Sequence, residues 1–285
     1  MSQDKEETAK CVRPDVMNVD DIVEMVPKLA NHRKLVAKVM KWLELDEVNR
    51  VHGRWCDTPG PEFVKRMVEQ DFKLDVKVEG EEVLRNLPDG PFITVSNHPF
   101  GALDGILLIY LVTKYRPKFK VMVNMMLNRI SAMRPNFIAV DALASDDPEK
   151  RKVSMLGIRH AIGQLKSGEP LGFFPAGAMS KIDWKGNLQD REWQKSVIEI
   201  ISRAKVPVIP IFFQGSNSWW FNFLGHACWP ARSLRLPAEV FRKRGKRMVV
   251  TIGKPITPEE QAAHGSSTEE LGRYLRERTF ALRHK

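Results

Sequence analysis

Cysteine is scarce. Cys11, Cys56 and Cys228 are the only three in 285 residues, and they form no CxxC spacing. That excludes a disulfide framework or a cysteine-held zinc site and reads as reduced cytosolic thiols. Long apolar runs are also missing. The longest, Ile106 to Val112, falls far short of the ~20 residues that a membrane-spanning helix needs. The opening MSQDKEETAK is polar and acidic, unlike a secretory leader. No repeat or low-complexity tract breaks the chain. Acidic side chains are outnumbered, 35 against 45 Lys and Arg, which leaves a formal charge of +10. A charge of this sign favours an anionic partner: a lipid headgroup surface, an acidic carrier protein or a nucleic acid. No RNP, helix-turn-helix or zinc-finger pattern is present, and the basic residues are dispersed except in Arg242–Arg247. A nucleic-acid partner is therefore not expected.

What is present is an ordinary packed composition, 43% hydrophobic and 28% charged, enough for one large domain with a small extra lobe. Residues 1–18 read as a disordered tail. Residues 19–72 read as an N-terminal helical segment. Asn18 caps its first helix, and Leu35, Val36, Val39, Met40, Trp42 and Leu43 alternate with Lys34, Lys38 and Lys41 in the second. Such helices either pack on the main domain or rest on a membrane with their lysines toward headgroups. A third helix is expected from Glu62 to Phe72.

From residue 73 to 285 strands alternate with helices. The expected strands are 73–78, 91–96, 120–124, 136–140, 171–174 and 206–213. Asp146-Asp-Pro-Glu opens a helix, and others cover 103–112, 196–204 and 268–282. Pro207 and Pro210 place the strand 206–213 at an edge or a ladder end. Residues 240–241 and 248–252 read as the arms of a hairpin around the basic turn. The pattern predicts an α/β domain with a mainly parallel sheet flanked by helices. Ligands in such sheets gather beyond the carboxyl ends of the strands. Three polar or glycine-bearing turns follow strands there: Asn97-His98, Pro175-Ala-Gly177 and Gln214-Gly-Ser216.

The stretch SNHPFGALDG, Ser96 to Gly105, sets His98 at a strand end and Asp104 in an apolar segment. On one straight helix the two would lie ~120° apart around the axis and ~9 Å apart along it, too far for a relaxed hydrogen bond. They meet only if His98 precedes the helix, Pro99 occupies its first turn and Gly101 takes a conformation other residues avoid. Two readings then fit the spacing. His98 is a general base held in one tautomer by Asp104. Alternatively, His98 bonds to backbone at a strand end and Asp104 is a helix-start acid.

Asn97-His98-Pro-Phe-Gly-Ala-Leu-Asp104 resembles the NHxxxxD motif of the glycerolipid and lysophospholipid acyltransferase superfamily. Phe137–Asp141, Phe174–Ser180 (FPAGAMS) and Val206–Pro210 resemble its later blocks, in the same order, over roughly residues 75–255. The chain departs from the pattern in places. Five residues, Pro99 to Leu103, separate His98 from Asp104 where the family usually has four. Ala176 and Met179 stand where the FPEGTRS block has glutamate and arginine, and Ala142 follows the second block's Asp141. Without those arginines a phosphate-bearing acceptor is less favoured, although Lys181 or Arg134 can substitute. The variants look more like the hemolysin-like branch that acylates lyso-ornithine or lyso-glycine lipids.

The resemblance implies an O-acyltransferase. It would move a fatty acyl group from a thioester on acyl carrier protein or coenzyme A to the hydroxyl of a lyso-lipid, lyso-aminolipid or lysophosphatidic acid acceptor. His98 and Asp104 are then the catalytic pair. Asn97, Phe174, Pro175, Ala176, Gly177, Ser180, Lys181 and Pro210 are the expected substrate-binding residues, with backbone N–H groups near Ala176-Gly177 as oxyanion donors. No metal or cofactor beyond the thioester co-substrate is expected. Trp219–Leu224 and Trp229, near Arg232, Arg235 and the basic turn, suit either a membrane interface or a capping core. The expected place is an anionic membrane surface, peripheral on its cytoplasmic face. A hydrolase of the same fold and a catalytically altered lipid-binding relative are the alternatives.

Overall fold

A computed structural model describes residues 13–87, 89–141, 148–183, 186–227 and 229–284. Most of the expected disordered tail, Cys11, Cys228, Ala142, the Asp146-Asp147 helix opening and the Trp229 side chain lie outside the described residues. The strands are β1 (Asp75–Glu79), β2 (Ile93–Ser96), β3 (Lys120–Asn124), β4 (Phe137–Val140), β5 (Leu171–Phe173), β6 (Lys181–Ile182), β7 (Leu188–Gln189), β8 (Val208–Phe213) and β9 (Arg247–Ile252). Seven of them form one sheet in the order β1-β9-β8-β2-β5-β3-β4. Every neighbouring pair is parallel except β8 and β9. β6 and β7 make a separate antiparallel pair.

The central strands are buried on both faces, so β2 (ITVS) and β8 (VIPIFF) show no polar alternation. The edge strand β1 (DVKVE) carries charge on alternate residues, which blunts pairing with another chain. On one face the helix Ala102–Thr113 and residues Phe63, Val64 and Val68 pack on Val121, Ile209, Ile211, Phe213 and Val250. Leu103, Leu107, Leu108 and Ile109 of that helix are wholly buried, each contributing about 1.5–3 kcal/mol. On the other face the helices Pro148–Lys166, Lys195–Ala204 and Thr268–Phe280 pack on Ile93, Val95, Leu171, Phe173 and Val208.

Several expectations need correction. The proline-bearing strand β8 is not at an edge but central, between β9 and β2, and Pro210 takes the other expected place, a ladder end. Pro210 is tolerated because it lies just past the β9 ladder, whose last pair is Ile211 with Ile252; its carbonyl accepts from Gly253 N. The basic turn joins a helix, Leu236–Phe241, to β9, so there is no hairpin. Helices also fall where none was read, Leu45–Trp55, Glu81–Arg85, Trp219–Ala227 and Pro258–His264 among them, and the segment 61–71 ends in a π-helical turn.

Residues 13–18 are not part of a disordered tail. Val16 and Met17 donate to Asn49 Oδ1 at 2.9 and 3.2 Å, and Asn49 Nδ2 returns a bond to Met17 O at 2.7 Å. The N-terminal helices themselves are tied to the main body. Asp71 accepts from Arg54 and Trp55, and Arg244 pairs with Glu47, whose carboxyl Arg50 and Arg244 hold down at about 2.

His52 ties the same region to the core. It is 2% exposed, and its Nδ1 lies 2.8 Å from Pro14 O while Ala132 N donates to Nε2 at 3.2 Å. A carbonyl only accepts, so Nδ1 carries the proton and the ring is neutral. Burial lowers its pKa from 6.5. A lowered folded-state pKa means the unfolded chain binds the proton first, so stability is full above 6.5 and is lost as pH falls. Urea denaturation should show the protein weakening between pH 7 and pH 5. His52→Asn, less stable at pH 7, should show a shallower slope.

Candidate active site

β5, β2 and β8 are parallel neighbours, so their carboxyl ends share one edge of the sheet. There the three expected turns do converge. The Phe174 ring lies 4.3 Å from the His98 ring and 6.3 Å from Phe213. A Cβ on Gly215 would sit 3.4 Å from the Phe100 ring, and one on Gly101 would sit 2.7 Å from Met179 Sδ.

The loop after β2 is held by two clamps. Asn97 is fully buried, and its amide takes over the ladder where the β2 backbone departs: Nδ2 donates to Phe213 O at 3.0 Å and Oδ1 accepts from Phe213 N at 2.8 Å. From the other side Ser180 grips the His98 backbone. Its Oγ accepts from His98 N at 3.2 Å and its N donates to His98 O at 2.9 Å. Ser180 Oγ donates in turn to the buried Asp190 at 2.5 Å, and Trp193 Nε1 donates to the same carboxyl at 3.3 Å.

With its backbone fixed, the loop turns at Gly101, whose φ of +76° lies in the region that favours glycine. The helix Ala102–Thr113 starts there. Asp104, in its first turn, reaches back so that Oδ2 accepts from Phe100 N at 2.9 Å and Gly101 N at 3.0 Å. His98 Nδ1 lies 3.0 Å from the same oxygen, on a bent approach. Five intervening residues are therefore no obstacle, because they are a turn and a helix start. The imidazole is 20% exposed and the carboxyl 0%. Among the described residues nothing hydrogen-bonds to Nε2. A proton on Nδ1, facing the carboxylate, leaves Nε2 as the accepting nitrogen.

Burial pushes the Asp104 carboxyl above the ordinary carboxylate range, opposed by His98 and the two backbone N–H groups. Its Oδ1 has no partner among the described residues. The charged form thus gains most when its neighbour is imidazolium. Lys243, from the basic turn, adds a second cation. Its Nζ donates to Ser216 O at 2.9 Å and lies 4.7 Å from the centre of the Phe100 ring, and burial lowers its pKa.

Of the expected site residues, the fold brings together His98, Asp104, Phe174 and Ser180. The others fall elsewhere. Asn97 is a backbone clamp. Pro175 is buried and accepts from Gln194 N, and Ala176 belongs to the core of the far face. Gly177 is exposed, its N–H is spent on Phe174 O, and a Cβ there would strike the Gln194 amide at 1.9 Å. That removes its N–H as an oxyanion donor. Lys181 pairs with Gln189 in the β6–β7 ribbon, and Pro210 is buried in the sheet. Asp190, Trp193, Arg232 and Lys243 were not anticipated. Arg232 and Lys243 meet Ser180 and Phe100 across long stretches of chain, whereas Asp190 lies ten residues from Ser180 and Trp193 three from Asp190.

An imidazole–carboxylate pair thus stands at the carboxyl edge of a mainly parallel sheet. Residues 21–285 match the family model described as acyltransferase, and the chain belongs to that family, within the glycerolipid acyltransferase superfamily. It is similar to a lyso-glycine lipid O-acyltransferase of Bacteroides thetaiotaomicron, 29% identical over 256 residues that cover 87% of this chain and 89% of the relative. It is also similar to a lyso-glycine lipid O-acyltransferase of Phocaeicola vulgatus, 31% identical over 232 residues, 79% of each chain. Among solved structures it matches the 1-acyl-sn-glycerophosphate (LPA) acyltransferase PlsC from Thermotoga maritima, with a TM-score of 0.48 and 20% identity over 87% of both chains.

The raised pKa of Asp104 has a measurable consequence. The folded chain holds that proton more tightly than the unfolded chain, so this group's contribution is present in acid and is lost as pH rises. Asp104→Asn keeps an acceptor for Phe100 and Gly101 and removes the charge. Urea denaturation at pH 4 and pH 7 should show the variant gaining stability relative to the parent at the higher pH.

Proposed function

We propose that the protein is an O-acyltransferase that moves a fatty acyl group from a thioester to the hydroxyl of a lyso-lipid, with a lyso-aminolipid of the lyso-glycine class as the acceptor. The observation that carries this reading is the His98–Asp104 pair, with Nδ1 turned to a buried carboxylate and Nε2 unbonded, in a chain similar to two lyso-glycine lipid O-acyltransferases. The donor is acyl carrier protein or coenzyme A carrying the acyl group.

His98 Nε2 takes the proton of the acceptor hydroxyl as its oxygen attacks the thioester carbonyl. The new C–O bond forms, the C–S bond breaks, and the thiolate leaves with the proton returned by the imidazolium. Asp104 holds the ring in the accepting tautomer and stabilises the imidazolium while it exists. Phe174 covers one side of the ring and limits its swing.

The reading extends to the membrane. Trp219, Trp220 and Phe223 stack on one another and are 74%, 55% and 46% exposed. Leu234 and Trp42 are also exposed, with the Arg235 guanidinium 4.7 Å over the Trp42 ring. The helix Arg33–Trp42 leaves Leu35 and Val39 outward among lysines. Aromatic rings beside cations, on a chain of charge +10, suit the headgroup level of an anionic bilayer. No helix among the described residues is long and apolar enough to cross a membrane. The enzyme is proposed to sit peripherally on the cytoplasmic face.

His98→Ala should lower acyl transfer by ~10²–10⁴-fold with an unchanged circular dichroism spectrum. Mass spectrometry of the lipids of a host expressing each form measures this, and near-normal acylated product from the variant would falsify the base assignment. Replacing Trp219 and Trp220 together by Ser should reduce co-sedimentation with anionic vesicles at low salt.

A further inference from the structure

Arg232 is 1% exposed and heads the wholly buried side chains by volume. Its Nη2 donates to Ser180 O at 2.8 Å, and its Nε has no hydrogen-bond partner. Among the described residues no carboxylate pairs with it. The charged group that acts on it is Arg191, of like sign and exposed. Asp190, the nearby acid, is committed to Ser180 and Trp193. A buried guanidinium is expensive unless an anion compensates it.

One helix covers it closely. The Phe221 ring lies 5.1 Å from the guanidinium carbon. Gly225 of the same helix lies against it, where a Cβ would come within 2.6 Å of Arg232 Cδ, 3.1 Å of Nη1 and 3.2 Å of Nε. Only a glycine lets the helix approach the guanidinium this closely, so among the described residues the charge is sealed by a backbone and a ring and by no anion. The position is also telling, because the carbonyl it holds belongs to Ser180, the residue that grips the His98 backbone on both sides.

We propose that Arg232, with Arg191 at the rim, receives the anionic headgroup of the acceptor, a carboxylate or a phosphate monoester. This rests on the acyl-transfer reading above. Arginine suits the task because its planar donors fork onto two oxygens and its charge is permanent. A headgroup held there sets its hydroxyl near the residue that Ser180 fixes. Reaching Arg232, itself on the helix Trp229–Leu234, requires the covering helix Trp219–Ala227 to shift outward, and Trp219, Trp220 and Phe223 of that helix are exposed, on the surface proposed to meet the bilayer.

The test is calorimetric binding of short-chain lyso-lipids in the absence of donor, so that no turnover is needed. Three headgroups are compared: a free carboxylate, its methyl ester and a phosphate monoester. The parent should prefer one anionic form over the ester by tenfold or more, and which one identifies the headgroup. R232Q should lose that preference and R232K should keep part of it, with circular dichroism confirming the fold; if R232Q does not fold, R232K decides. No preference in the parent, or a preference intact in both variants, overturns the proposal. Transfer assays on the same lipids separate the two readings. Charge-selective binding without transfer sinks the acyl-transfer reading alone, whereas transfer that ignores headgroup charge sinks this one alone.

Discussion

A single buried carboxylate oxygen organises the site. Asp104 Oδ2 accepts from two successive backbone N–H groups and stands 3.0 Å from the His98 imidazole. The two N–H bonds satisfy donors at the start of the helix Ala102–Thr113, which otherwise have no intrahelical partner. They also fix the carboxylate, so the imidazole meets a positioned charge. The start of a core helix and the orientation of the ring thus depend on the same atom. Loosening either would disturb the other.

That arrangement works because the loop carrying His98 is immobilised on both sides. Asn97 continues the β2–β8 ladder with a side chain, and Ser180 holds the His98 N–H and carbonyl together. Each such bond is worth about 1 kcal/mol net, but leaving a buried partner unsatisfied costs about 1–3 kcal/mol. Asn97 reaches the neighbouring strand β8, and Ser180 comes from the loop that follows β5.

The electrostatic layout follows from burial. Asp104 and Asp190 lie on opposite sides of the His98 loop and both are pushed up by desolvation. Lys243 and Arg232 lie near them, and desolvation lowers both. Neither cation forms an ion pair with a carboxylate among the described residues. Outside, the apolar side chains left exposed include the stacked rings of the helix after β8 and the outward row on Arg33–Trp42.

The alternation of strands and helices was legible in the residues, because apolar runs such as PFITVS and VPVIPIFF and the all-apolar helix 103–112 declare burial on both sides. So was the His98–Asp104 pair, since Pro99 and Gly101 mark a turn between them. Strand order was not, and Pro210 left an edge and a ladder end open, of which the structure takes the second. A proline reports only that its own N–H is missing; which neighbour would have needed it depends on where β9 ends. Pro210 is buried in the sheet and the Gly177 N–H is already bonded for a related reason. A motif block names residues near a site, but only the packed chain decides which side chains face it and which N–H groups are already spent. Arg232 and Lys243 lay beyond reach of any local pattern, because the Ser180 and Ser216 carbonyls they hold are 52 and 27 residues away and are brought to them only by folding. By itself the sequence determined the layers, the turn and the pairing of His98 with Asp104, all products of short-range chemistry. The tertiary structure alone decided what surrounds that pair, because burial and long-range contacts exist only once the chain has closed on itself.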